Sequence, residues 1–410
     1  MRARNEAPEQ GTDELSGGQP GGQGPLPIYV AKGGRVFVSG LLSISLPFYL
    51  KSIGYGPFFQ GLALVAILAG NAVSNLAVTY LDARVGRRRL LQAFSVLMVA
   101  AGAVLAVDEA AAAMLLACLI GNISSSGTES GPFQSIEAGV IPDLSGEGSS
   151  VRAFGRYNMI GYSAAALGQL ASSGPGILGD SAAAFHVGFA GFAAVGVVLF
   201  AVYSRVGGLE ASRAVRPGLA NLSPQARKEL VRLSGLFSLD SFGGVFVTTY
   251  LLSIWFSSTY GLQLEYLGPI FFVASLVTAA SAYGAAIIAV RIGNLRTMVY
   301  THLGSNALLI FMGLAGSLPL ALLFLFLRQT VSQMDVPTRQ ALMTEMFQKE
   351  ERVQAYAVTN TLRSVGSFMG GPASAVFLGL GVVSALPFAG GITKIGYDLM
   401  TFASYRKRYR

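Results

Sequence analysis

Apolar runs of about 20 residues recur along this chain, and each is the length a helix needs to cross a bilayer. Short connections separate them, and these carry most of the Lys and Arg. Twelve such runs can be placed between residues 35 and 402, so the sequence predicts an all-α membrane protein of twelve transmembrane helices. Composition agrees. Apolar residues make up 52%, charged residues only 12%, and mean hydropathy is +0.54. A soluble domain carries about twice that share of charge.

The organisation follows from where the polar stretches fall. Residues 1–31 are rich in Gly, Gln, Pro and Glu, which predicts a disordered cytoplasmic tail, and they lack the apolar core of a signal peptide. A six-helix half is expected over 32–204 and a second over 231–402. Between them, 205–230 reads as a cytoplasmic linker carrying Arg205, Arg213, Arg216, Arg227 and Lys228, and 403–410 as a basic cytoplasmic tail. The formal net charge of +8 is distributed by topology and does not form a nucleic-acid patch. Of the 29 Lys and Arg, Arg328, Arg339, Arg363 and Lys394 lie within spans and Lys51 lies near an outer loop. The rest sit at the cytoplasmic side once the N-terminus is placed there, while Asp108, Glu109 and Asp180 mark outer loops. Trp255, the single tryptophan, is expected at the outer interface.

The halves repeat. Ala83–Arg89 is echoed by Val290–Arg296, Val151–Phe154 by Val353–Tyr356, Tyr55-Gly56 by Tyr260-Gly261, and Pro132 by Pro337. All recur about 205 residues apart, and an even number of spans per half makes the repeats parallel, with the solute site expected between them at the midplane.

The loop LDARVGRRR between spans two and three resembles the G-x-x-x-D-R-x-G-R-R signature of the major facilitator superfamily. Arg84, Gly86, Arg87 and Arg88 match it, whereas Ala83 holds the acid's position and Asp82 stands one residue early. Val78 or Thr79 replaces the opening glycine. The strings GTESGPFQSIE, SLDSFGGVF and SQMDVPTRQ resemble a widespread prokaryotic branch of that superfamily. The resemblance implies a cavity lined by spans one, four, seven and ten, and a signature loop that gates its cytoplasmic side. It also implies a secondary transporter of small organic solutes in the plasma membrane, exchanging them for protons in the export direction. Uptake or exchange of an anionic solute, and a non-transporting receptor or scaffold, are the alternative expectations.

Charges inside spans are costly and mark candidate sites. Arg328, Asp335 and Arg339 share one face of span ten, with Ser332 between them. At about 1.5 Å per residue Arg328 lies roughly 15 Å from the outer end, Asp335 deeper, and Arg339 at the inner interface. Span four offers Glu129, span seven Asp240 and span eleven Arg363. The three acids and three guanidiniums could neutralise one another as a structural network. Alternatively a carboxylate among Glu129, Asp240 and Asp335 exchanges a proton as the cavity alternates, with Arg328 touching the solute. Pro132 and Pro337 are expected to kink their helices beside these acids. Gly366, Gly370 and Gly371 suggest close helix packing, Lys394 and Asp398 an intrahelical pair, and His186 and His302 scaffold positions. One Cys and two His exclude a zinc-type cluster, and Cys118 reads as a core residue. No phosphate-binding loop or catalytic triad order is present, so neither an enzyme nor a cofactor is expected.

Overall fold

The computed structural model describes residues 24–128, 131–145, 150–179, 182–207, 209 and 222–408. They form twelve spans. Eight are single helices: Leu26–Ser52, Pro57–Val85, Arg87–Val107, Ser150–Ala171, Ala182–Arg205, Leu264–Ile292, Asn294–Gly313 and Leu386–Tyr405. A ninth, Lys349–Gly379 (span eleven), is also continuous and carries Pro372 within it. The other three are interrupted: span four as Ala111–Ile120 and Pro132–Ser145, span seven as Pro224–Val245 and Thr249–Tyr260, and span ten as Leu318–Gln329 and Asp335–Met346. The first helix begins at Leu26, inside the segment expected to be a tail. Pro27 sits in its first turn, where a missing N–H costs nothing. Span seven likewise starts at Pro224, within the expected linker, under an N-cap from Ser223 to Ala226 N–H.

Neighbouring spans follow the repeat. Span one packs on spans five and six as span seven packs on eleven and twelve, and three on six as nine on twelve. The halves meet along span two against span eleven and span five against span eight, which the same two-fold relation interchanges. Two matches seen in sequence are equivalent in structure. Tyr55 OH donates to Glu109 O at 2.6 Å, and Tyr260 OH donates to Ala315 O at 2.7 Å. Gly86 and Gly293 both take positive φ, 88° and 86°, where a side chain would be strained and the chain turns at once into the next helix. The end bearing these glycines and their arginines is called the basic end below; the end with Asp108 and Glu109 is the acidic end.

Small residues set the helix crossings. A Cβ at Gly366 would overlap the Ser238 carbonyl of span seven, one at Gly370 the Phe242 carbonyl, and Gly371 faces Val65 and Leu68 of span two. This fits the packing expected of that glycine run. Gly168 meets the Phe37 carbonyl in the same way where spans one and five cross. Gly168→Ala is therefore expected to cost about 1–3 kcal/mol, because backbone cannot yield as a side chain would. Gly155→Ala, on the same helix with open space at its Cβ, should instead stabilise by about 0.5–1 kcal/mol. Thermal unfolding of the two purified variants checks the opposite signs.

Trp255 is 1% exposed and packs edge-on to Phe256 and Tyr260. It is a core residue and not the interfacial anchor expected from its position in sequence. Cys118 is buried, as its apolar surroundings suggest.

Candidate functional site

Span ten is not one continuous helix. Its residues 330–334 form tight turns in which Val331 N–H bonds Arg328 O, Met334 N–H bonds Val331 O, and Val336 N–H bonds Gln333 O. Pro337 explains the last. It has no N–H to offer Gln333 and its ring crowds that carbonyl, so the chain tightens one residue earlier. Pro337 then lies in the first turn of the second half-helix, and Pro132 opens the corresponding half of span four. Both prolines start helices at mid-span; neither kinks a continuous one. In span seven Val247 and Thr248 turn back on Gly244 and Val245, and the Thr248 hydroxyl caps Leu251 N–H.

Asp335 and Arg339 nonetheless share a buried face, with Oδ2 3.2 Å from Arg339 Nη1. Arg339 also lies 3.4 Å from Asp240 Oδ2 on span seven, and its guanidinium stands over the Phe237 ring. It was expected at the inner interface without a special role; it is instead the buried cation shared by both acids. Asp240 is the hub. Lys394 Nζ of span twelve donates to its Oδ1 at 2.5 Å, and His302 Nε2 of span nine lies 3.6 Å from the same oxygen. His302 Nδ1 reaches Asp398 Oδ1 at 2.7 Å, and Asn306 Nδ2 donates to Asp398 Oδ2 at 3.0 Å. Lys394 thus turns to span seven and Asp398 to span nine, which replaces the intrahelical pair expected of them. His302 stands between two carboxylates and joins spans seven, nine and twelve.

The acids and guanidiniums do not pair off one to one. Asp240 and Asp335 share Arg339, while Arg328 and Arg363 keep neutral partners. Arg328 Nη1 donates to Gln329 Oε1 at 3.1 Å, where Ser332 Oγ also donates, and Arg363 Nε donates to Ser241 Oγ at 3.1 Å. Asp335 is within electrostatic reach of both guanidiniums and of Tyr162 in the other half. Glu129 lies outside the described residues.

The N-terminal half holds a counterpart that sequence reasoning missed. Arg35 of span one makes a two-pronged pair with Glu137 of span four, Nη2 to Oε2 at 2.7 Å and Nη1 to Oε1 at 3.1 Å. Tyr157 and Tyr203 hydroxyls donate to the same carboxylate at 2.7 and 2.6 Å, and Arg35 covers the Phe133 ring. Spans one and four therefore carry cation and acid where spans seven and ten carry acid and cation. The repeat itself held the clue, because Arg35 aligns with Asp240.

At the acidic end the halves are tied. Tyr250 N–H donates to Ser125 O at 3.0 Å, Thr249 Oγ1 to Ser126 O at 2.9 Å, and Tyr250 OH to Gln60 O at 2.9 Å. The break in span seven thus docks on the break in span four. At the basic end Asp82 Oδ2 lies 3.5 Å from Arg87 Nε, so the displaced acid of the signature does pair, from the last turn of span two to the first of span three across Gly86. Arg88 donates to Val206 O at 2.8 Å, Arg84 is exposed, and Gly86 forms the turn. Among the described residues no group of His, Cys, Asp and Glu is placed to hold a metal ion.

The sequence matches the family model described as Major Facilitator Superfamily over residues 29–371. It is 26% identical over 364 residues to an uncharacterized membrane protein of Saccharomyces cerevisiae, covering 80% of this chain and 81% of that one. The structure resembles that of the nucleoside transporter NupG with a TM-score of 0.70 at 12% identity, over 94% of this chain and 99% of the other. It also resembles a D-xylose-proton symporter, TM-score 0.70 at 15% identity over 92% and 96%. The inward open form of the xylose transporter XylE from E. coli gives 0.69 at 14% identity over 92% and 95%. At these identities the structural likeness concerns the fold.

Proposed function

Because this chain belongs to the Major Facilitator Superfamily of membrane transporters, we propose that it moves small organic solutes across the plasma membrane by alternating access, coupled to protons. The observation that carries the reading is the single guanidinium of Arg339 held between Asp335 and Asp240, on two interrupted spans. Interrupted spans that meet at mid-membrane recur at transporter binding sites. When the halves rock and Arg339 leaves one acid for the other, the abandoned carboxylate loses the charge that keeps it ionised and can take a proton. Glu129 remains a further candidate carboxylate on span four. Arg84, Gly86, Arg87, Arg88 and Asp82 form the gate loop at the basic end, which faces the cytoplasm with both termini in this reading. Export by proton antiport is the direction that the loop's resemblance implies.

Liposomes reconstituted with the protein and given an imposed pH gradient test this against a panel of sugars, nucleosides, organic acids and drugs. Flux that follows the gradient and reverses with it is expected. Flux that ignores the gradient for every transported solute would remove proton coupling.

In the same reading the acidic end is the closed end here, latched by Thr249 and Tyr250. Tyr250→Phe deletes one of the three bonds, worth about 1 kcal/mol, and should raise the population open at the acidic end about fivefold. Spin labels at the exposed Ser52 and Ser258 would report this as growth of the longer distance. An unchanged distance distribution would deny the latch its role.

A further inference from the structure

The charges that the network leaves over describe the solute. Buried cations among the described residues are Lys32, Arg35, Arg87, Arg328, Arg339 and Lys394, against the carboxylates Glu137, Asp240, Asp335 and Asp398. Glu137 is taken by Arg35, Asp240 by Lys394 and Arg339, and Asp335 by Arg339. Asp398 faces His302 and Asn306, Arg87 faces Asp82, and Lys32 stands over the Tyr157 ring.

Arg328 is only 9% exposed, yet among the described residues no carboxylate lies within ion-pair distance of it. Its Nη1 is held by the neutral Gln329 amide, and its Nε is buried without an acceptor. Arg363, half-buried on the neighbouring span eleven, is bonded through Nε to a serine hydroxyl and likewise lacks a carboxylate. A guanidinium at membrane depth is costly unless an anion meets it, and leaving one without a counterion is a poor structural solution. The tight turns at 330–334, directly after Arg328, supply a joint at which its fork can be presented as the site loads.

We infer that the central site takes a small organic anion, a carboxylate or a phosphate ester, with Arg328 as its principal contact and Arg363 as the second. The inference rests on the reading above that solutes bind between the halves. A planar fork matches a carboxylate or phosphate with two parallel bonds, and with Nη1 occupied the Nε edge of Arg328 is the one left to make them. An uncharged sugar or a cation would leave both guanidiniums with no anion at ion-pair distance, and only the more distant Asp335, already paired with Arg339, to offset them.

The test is binding to the purified full-length protein, read as thermal stabilisation so that it does not depend on transport. The probes are matched pairs, succinate against succinamide and glucose 6-phosphate against glucose, with tetraphenylphosphonium as the cationic probe. An anion is expected to stabilise the wild type where its uncharged partner does not. Arg328→Gln should weaken that anion by about 30-fold or more, and Arg328→Lys by less, since it keeps the charge but not the fork. Arg363→Gln should weaken it by a smaller factor. No stabilisation by either anion, equal stabilisation by an uncharged partner, or undiminished binding to Arg328→Gln would each overturn the inference. If Arg328→Gln does not fold, the matched pairs on the wild type and the Arg363→Gln variant decide it. Anion binding without flux in liposomes would sink the transport reading and leave the anion site standing. Flux of an uncharged solute with no anion binding would do the reverse.

Discussion

Arg35→Ala is expected to destabilise the protein by about 3–5 kcal/mol, the usual cost of stripping one partner from a buried ion pair. Glu137, 0% exposed, would keep two tyrosine hydroxyls but lose both guanidinium bonds and the positive charge that faces it. The loss should appear as lower yield of folded protein in the membrane and a markedly lower unfolding temperature. Exchanging the charges, Arg35→Glu with Glu137→Arg, should recover much of it, because the pair is rebuilt between the same two spans. If the single variant is as stable as the wild type, the pair does not hold spans one and four together. If the exchanged variant is no better than the single one, the tyrosine geometry and not the charge sets the site.

Neither member of that pair stands out in the sequence. The bundle was legible because hydrophobic length, basic loops and a repeat all point to one fold. The stripe on span ten was legible because Arg328, Asp335 and Arg339 interrupt an otherwise apolar run. Arg35 escaped notice because it stands near the basic end of span one, where an arginine reads as a topology signal. Glu137 lies just past the apolar run of about 110–136 that reads as span four, so in sequence its carboxylate falls at the span's end. The partner of Lys394 is hidden in the sequence for a different reason. Spacing along one helix predicts Asp398, four residues on, but Asp398 is taken by His302 and Asn306 of span nine, and Lys394 pairs instead with Asp240 of span seven. The helix breaks were signalled by Gly243-Gly244 and by Pro132 and Pro337. A proline in sequence does not say whether it bends a helix or begins one; that depends on what bonds the residues before it, as Gln333 shows.

The second large effect concerns Asp335. Asn at this position keeps the size and can still accept from Arg339, whose nearest oxygen of Asp335 is 3.2 Å away, but it cannot bind and release a proton. Coupling and solute binding should therefore separate. With one proton per solute, an imposed gradient of about two pH units sustains up to about 100-fold concentration of solute across the membrane. Asp335→Asn should bring that ratio to about one, while exchange of solute down its own gradient continues. Asp240→Asn differs in kind, because it also deprives Lys394 of its carboxylate, and a loss of folded protein is expected there alongside any loss of coupling.

The decisive measurement is solute accumulation by Asp335→Asn in liposomes with and without the pH gradient, set beside equilibrium exchange in the same vesicles. Normal exchange and no gradient-driven accumulation are expected. Full accumulation by this variant would take Asp335 out of the coupling mechanism.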